Sequence, residues 1–190
     1  MSRPKHLYHG SSNRNLKVMK PRRESFRDEN EGPIVFASPD MSYASCFLVN
    51  TSESWVKISR WSDDPKKRGP WYFICSDKER FKSEDKGGVI YVLPSEGFIA
   101  DPDKGTGLAE WISKESVIPI TKTVYESALE AMIANGVQVV FVDDEAMKNI
   151  EESDDHGWEI VSKLKSENER WGHEIERLEI YKGSKKKISS

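Results

Sequence analysis

Short apolar and aromatic runs alternate with polar clusters over the first two thirds of the chain. The runs are rich in Val, Ile, Tyr, Phe and Trp, and clusters of Gly, Pro, Asp and Lys separate them. This is the pattern of β-strands joined by irregular connections. The predicted strands are LYHGSS (7–12), PIVFAS (33–38), SWVKISRW (54–61), PWYFICS (70–76), GGVIYVL (87–93), AEWISK (109–114) and SVIPIT (116–121).

One early segment, SPDMSYASCFLVN (38–50), has helical spacing instead. Either Ser38 or Asp40 can cap a helix there, because short polar side chains accept hydrogen bonds from the first free backbone N–H groups. Tyr43, Ala44 and Phe47 then recur at intervals of three and four residues, which places them on one face. The pattern predicts a helix that directly follows a strand.

The last third of the chain changes character. VYESALEAMIANG (124–136) has helix-forming residues and a terminal Gly136 suited to end a helix, and VQVVFVDD (137–144) has the pattern of a buried strand. From Gly157 onward, apolar residues at steps of three and four predict one long amphipathic helix, docked on the sheet or, alternatively, paired in a coiled-coil dimer. We expect an α/β extension over 123–182 that packs on the core, followed by a disordered basic tail over 183–190.

Composition restricts the class of protein. A chain of 190 residues with 36% hydrophobic residues can form one ordinary core, and its net charge of −3 provides no general attraction for nucleic acid or anionic membranes. The sequence contains neither an apolar export signal at its start nor an apolar run long enough to span a bilayer, which favours a cytoplasmic protein without a membrane partner. Cys46 and Cys75 lie in apolar surroundings without zinc-ligand spacing, and are expected to be buried reduced thiols.

The candidate chemistry begins at His9, Gly10 and Ser11, at the end of the first predicted strand. A histidine, a flexible glycine and a hydroxyl donor are suited to the edge of a polar-ligand site, although a strand end without function has the same composition. Lys17, Lys20, Arg22 and Arg23 follow, and such a run contacts a diphosphate or an acidic acceptor, or forms a solvated loop. Phosphate-binding loops, dinucleotide-binding glycine patterns and a Ser-His-Asp arrangement are missing, which argues against a dehydrogenase.

Three segments in order, LYHGSS, VFASPDMSYASCF and EWISKESVIPI, resemble the three signature strands of the ADP-ribosyltransferase superfamily. The most similar branch carries a histidine, an aromatic residue and a glutamate, and includes the poly(ADP-ribose) polymerases and diphtheria toxin. The resemblance covers about residues 5–122. It implies an α+β fold in which a split β-sheet core with an NAD cleft, residues 1–122, is followed by the C-terminal helical extension.

The resemblance implies roles for the first strand and the helix. His9 would bind the ribose hydroxyls of NAD, the backbone of Gly10 would clamp the nicotinamide amide, and Ser11 would occupy the place of the family's small hydroxyl residue. Exchange of Gly10 for Val is then expected to fill the nicotinamide slot and leave the protein folded.

The aromatic wall of the slot is less regular. Relatives have a tyrosine where this chain has Val35, so Tyr43 is the nearest substitute and Phe47 could form a second face. Ser42 could reach the amide. Alternatively, Tyr43 and Phe47 belong to the core stripe of the helix, and this alternative fits Phe47 better than Tyr43.

The third segment contains the acid. Breaking the bond between ribose and nicotinamide builds positive charge on the sugar, so a fixed carboxylate stabilises the transition state. Glu110 begins the strand EWISK, as the family's glutamate lies in its late strand, and Glu115 is the reserve. Either could instead be an exposed charge at a strand end.

The resulting hypothesis is an NAD-dependent ADP-ribosyltransferase. It would cleave the nicotinamide–ribose bond and transfer ADP-ribose to a protein or nucleic-acid acceptor, with NAD as substrate and without a metal. One alternative is an RNA 2′-phosphotransferase-like enzyme, which would need several arginines in the cleft for RNA phosphates. The other is a catalytically silent nucleotide-binding or interaction module of the same fold, favoured by Val35 in place of the family tyrosine.

Overall fold

A computed structural model describes residues 3–23, 32–51, 54–61, 69–100, 109–155, 157–163 and 179–181. These residues form a mixed α+β fold with three β-sheets. The strands are β1 (His6–Ser11), β2 (Arg22–Arg23), β3 (Pro33–Ala37), β4 (Val56–Arg60), β5 (Trp71–Cys75), β6 (Gly88–Pro94), β7 (Ile99–Ala100), β8 (Trp111–Ser113), β9 (Thr121–Tyr125), β10 (Gln138–Phe141) and β11 (Glu179–Tyr181). The helices are α1 (Met41–Ser45), α2 (Lys78–Glu84), α3 (Ala128–Ala134) and α4 (Asp144–Glu152), and a 3₁₀ turn (Cys46–Leu48) follows α1.

The three sheets have the strand orders β1-β6-β9, β2-β3-β8-β7 and β11-β10-β5-β4. All pairings are antiparallel except that of β10 with β5. The first two sheets meet where β3 ends, because Tyr8 N donates to Ser38 O at 2.7 Å and Ser38 N donates to Tyr8 O at 2.9 Å. This junction brings β1 and β3 together beside α1.

The early helix begins where the sequence predicts a capping residue. Asp40, rather than Ser38, is the N-cap residue, and its carboxylate accepts a hydrogen bond from Ser42 N at 3.1 Å. Regular helix ends at Ser45, and Phe47 has non-helical backbone angles within the 3₁₀ turn. The helix is therefore short, and its backbone packs directly on β1.

The predicted strand SVIPIT does not form. Val117 forms an isolated bridge with Met19, Ile120 N donates to Val92 O, and the next strand, β9, begins only at Thr121, the last residue of this run. Pro119 cannot donate a backbone hydrogen bond, and Ile118 and Ile120 are 69% and 56% exposed, so apolar composition alone misled the prediction.

The C-terminal third joins the sheet of β4 and β5 through β10. Ser127 caps α3, Asp143 caps α4, and Gly136 has the positive φ expected just after a helix.

The expected boundary between 122 and 123 falls inside β9, which pairs with β6. Residues 158–163 are helical and Val161 is buried, whereas the remainder of the predicted long helix up to residue 178 and the tail over 183–190 lie outside the described residues.

Both cysteines are buried and free, as predicted from their apolar neighbours. Burial raises the pKa of Cys46 and raises that of Cys75 to about 12. Among the described helices, none combines the length and apolar character needed to cross a membrane.

Candidate functional site

A cleft of about 730 Å³ opens between β1, the end of β3 and α1. This volume lies within the ordinary range for small-molecule sites. The cleft contains seven of the candidate residues named from the sequence, namely His9, Gly10, Ser11, Arg22, Tyr43, Phe47 and Glu110. His9 and Glu110 come from opposite ends of residues 1–122. Its lining residues are Tyr8, His9, Gly10, Ser11, Ser12, Arg22, Phe36, Ser38, Tyr43, Ala44, Phe47, Val49, Asn50, Thr51 and Glu110.

The backbone edge of Gly10 faces the cleft. Tyr8 directs its N–H and C=O to Ser38, and residues two apart in a strand direct these groups to the same edge. On the neighbouring strand, Val92 accepts a hydrogen bond from Ile120 N, so Val92 and Ile90 direct their backbone groups toward β9 and away from β1. Gly10, which lies opposite Ile90, therefore directs its N–H and C=O away from β6 and toward the side of β3, where the cleft lies.

Gly10 lacks a side chain for a different reason from the one expected. A Cβ on Gly10 would collide with the carbonyl oxygen of Ala44 and lie 3.1 Å from Leu48 Cδ1. The glycine therefore allows α1 to pack against β1. The expectation that Val at this position would fill a ligand slot and leave the fold intact is wrong.

His9 is fixed by the strand beside it. Its Nδ1 lies 2.7 Å from the carbonyl oxygen of Phe36, which can only accept, so Nδ1 carries the proton. Burial lowers the pKa of His9, the hydrogen bond to Phe36 opposes this effect, and the positive charge of Arg22 lowers the pKa further. The ring is thus neutral at neutral pH, and Nε2 is an acceptor suited to a hydroxyl group.

The two predicted serines have different positions. Ser11 lines the cleft, and its Oγ accepts a hydrogen bond from Asn13 N at 3.1 Å. Ser42 is not among the lining residues, because its hydroxyl donates to the carbonyl of Asn135 at 2.6 Å, at the end of α3. Ser42 therefore connects two helices.

Tyr43 is more buried than Phe47, whereas the sequence favoured Phe47 as the core residue. Tyr43 is 5% exposed and belongs to the core, whereas Phe47 is only partly buried. The rings of Phe47 and Phe36 lie edge to face at 6.4 Å. Both line the cleft, as do Tyr8 and Tyr43, so two phenylalanines and two tyrosines supply its aromatic residues.

Sequence reasoning missed Phe36. Val35 is 4% exposed and packs with Leu7 and Met19 in a second core cluster. Because alternate residues of a strand face opposite sides, a buried Val35 places Phe36 on the other face, where it lines the cleft. The alternation of faces along the strand could have identified Phe36 from the sequence.

Glu110 lies at the base of the cleft and immediately precedes β8. It is 5% exposed, and its Oε1 accepts a hydrogen bond from the Tyr43 hydroxyl at 2.7 Å. Glu115, the reserve, is exposed beyond β8 and does not line the cleft. The site therefore holds one buried carboxylate on the same surface as His9 and Gly10.

Of the described residues that line the cleft, Arg22 alone has a permanently cationic side chain. It is exposed on β2, and its charge acts on His9. Elsewhere within the described chain, no group of three or more His, Cys, Asp or Glu side chains is arranged to hold a metal ion.

Comparisons with known proteins add no relative. No protein-family model matches the chain, and neither a curated protein nor a solved structure matches it.

Proposed function

We propose that the protein is an NAD-dependent ADP-ribosyltransferase whose substrate binds in the cleft of His9 and Glu110. One observation carries the proposal: the side chain of His9, the backbone of Gly10 and the carboxylate of Glu110, whose roles the resemblance to that superfamily implies, line one cleft. NAD carries a chemical group suited to each of them.

The cleft residues fit the parts of NAD in turn. The carboxamide of nicotinamide is both donor and acceptor, which matches the N–H and C=O of Gly10. The ring of Phe47 is suited to stack on nicotinamide, and Nε2 of His9 accepts a hydrogen bond from a ribose hydroxyl. Arg22 can pair with the diphosphate.

The chemical step follows from the charge of NAD. When the nicotinamide–ribose bond breaks, its electron pair stays on the nicotinamide nitrogen, which becomes neutral, and C1′ of the ribose becomes electron-poor. A carboxylate at Glu110 stabilises that positive charge more strongly in the transition state than in bound NAD. The acceptor then bonds to C1′ and loses a proton, which gives the ADP-ribosyl product, nicotinamide and H⁺.

The two alternatives receive less support. Arg22 is the one arginine among the described lining residues, whereas an RNA phosphotransferase needs several. The presence of Val35 favoured a silent module, but Val35 packs in the core and Phe36 lines the cleft.

The test is release of nicotinamide from NAD labelled in the nicotinamide ring, alone and with protein or RNA acceptors. We expect release above the rate of NAD in buffer, and ADP-ribose attached to acceptor or water. An intact NAD pool under every acceptor condition, with NAD bound in a calorimetric titration, would support the silent module instead.

A further inference from the structure

The hydroxyl of Tyr43 donates a hydrogen bond to the carboxylate of Glu110. The two side chains meet at 2.7 Å, and each is 5% exposed. A hydrogen bond between two buried groups restricts rotation of the carboxylate, because a rotated carboxylate would lose the bond without gaining water.

The ring of Tyr43 is itself held on two sides. The ring of Phe47 meets it edge to face at 5.0 Å, and the ring of Trp71, from β5, lies 4.5 Å away. The hydroxyl therefore cannot leave Glu110 unless packed aromatic rings move.

Trp71 is fixed in turn by the cap of α1. Its Nε1 donates to Asp40 Oδ2 at 2.8 Å, and the same oxygen accepts from Arg60 Nη1 at 3.1 Å. The guanidinium of Arg60 also lies over the Trp71 ring, 4.9 Å from its centroid. A continuous set of contacts thus runs from the helix cap through two rings to Glu110.

We propose that Tyr43 is a positioning residue that orients the Glu110 carboxylate toward the ribose, with Trp71 as its support. This inference rests on the proposed ADP-ribosyltransferase function. It assigns Tyr43 a role other than contact with nicotinamide, so its loss changes turnover and not substrate affinity.

The experiment compares Tyr43→Phe with wild type by NAD turnover, KM for NAD and thermal unfolding. Phe keeps the ring and removes the hydroxyl, so the fold is expected to survive. We expect kcat to fall about ten- to a hundredfold, as for loss of a hydrogen bond to a charged group, and KM to stay within about twofold. Tyr125→Phe is the matched control, since the Tyr125 hydroxyl also has a side-chain hydrogen bond, which it accepts from Asn135 Nδ2 at 3.4 Å, and Tyr125 lies outside the cleft.

A double-mutant cycle separates positioning from general packing. If Tyr43 acts through Glu110, Tyr43→Phe has almost no further effect on kcat in a Glu110→Gln background. Equal losses in both backgrounds would overturn the inference. Trp71→Phe is a second test, and a fall in its kcat at constant KM is expected.

The remaining outcomes are distinguishable. Unchanged kcat in Tyr43→Phe, with active wild type, would refute the inference alone. Raised KM at unchanged kcat would make Tyr43 a wall of the binding slot and also refute it. Wild type that releases no nicotinamide would refute the proposed function and the inference together.

Discussion

The carbonyl oxygen of Ala44 in α1 occupies the space that a side chain on Gly10 would need. The close approach of helix backbone to strand backbone sets the distance between α1 and β1, and both elements line the cleft. The glycine thus determines the shape of the site through packing.

Gly10→Ala is expected to lower the free energy of unfolding by about 1–3 kcal/mol or more, because backbone atoms must shift to admit the methyl group. Urea denaturation measures this loss. Ser12→Ala, at an exposed position nearby, serves as control and should change stability by less than about 0.5 kcal/mol. Equal stabilities for Gly10→Ala and wild type would mean that α1 packs less closely than described.

Glu110→Gln is expected to reduce nicotinamide release about a hundred- to a thousandfold, because it removes the anion and keeps the size of the side chain. Gln can still accept the hydrogen bond of Tyr43, so NAD affinity should change little. Glu115→Gln, at the exposed site beyond β8, should leave turnover intact. If the Glu115 variant lost activity and the Glu110 variant kept it, the acid would be assigned to the wrong residue.

Arg22→Ala is expected to raise the KM for NAD about tenfold, since the proposed charge-assisted contact with the diphosphate would be lost. Arg23→Ala is the matched control: the adjacent β2 residue is also exposed but does not line the cleft. Steady-state kinetics over a range of NAD concentrations provides the comparison. Similar effects from both arginines would indicate general electrostatic attraction.

Tyr43 and Phe47 should differ in the reverse order to that predicted from the sequence. Tyr43→Ala removes a buried core ring and is expected to cost about 3–5 kcal/mol of stability. Phe47→Ala removes a partly exposed ring that lines the cleft, so it should cost less stability and weaken NAD binding. Denaturation and calorimetric titration of both variants rank their stability and NAD affinity. The opposite order would mean that Phe47, and not Tyr43, is the core residue.

Asp85 makes stability depend on acid pH. Burial raises its pKa, but hydrogen bonds from Ala128 N, the Ser127 hydroxyl, Gly87 N and Leu129 N outweigh this effect and lower it. Because the folded pKa is below the unfolded value of about 3.9, the contribution is complete above that value and is lost as pH falls through the folded pKa. Asp85→Asn should therefore cost about 1 kcal/mol near pH 7, and the difference from wild type should shrink in acid. Urea denaturation at a series of pH values tests this, and a difference independent of pH would rule out the carboxylate charge as its source.

Residues with local signals were predictable, and residues whose roles depend on distant partners were not. Asp40 caps α1, Gly136 follows the end of α3 with a positive φ, and the runs in β1, β3, β5 and β6 are strands. β9 was missed because Thr121–Tyr125 is mostly exposed, and α2 because its seven residues bury only Phe81.

The candidate site shows the same division. His9, Gly10 and Glu110 could be selected from short motifs, and they line one cleft. The bond between Tyr43 and Glu110, like the contact of Gly10 with Ala44, joins residues from different segments, and no local pattern specifies it.

The place of β5 between β4 and β10 matters while the chain is being synthesised. β4 and β5 leave the ribosome early, whereas β10, which forms the parallel neighbour of β5, is made much later. Until then one edge of WYFIC, a strand whose five residues are all buried in the finished fold, has unpaired backbone groups that a strand of another chain can bind. A nascent chain halted before Gln138 is therefore prone to aggregate, and a chaperone that covers the β5 edge would protect it.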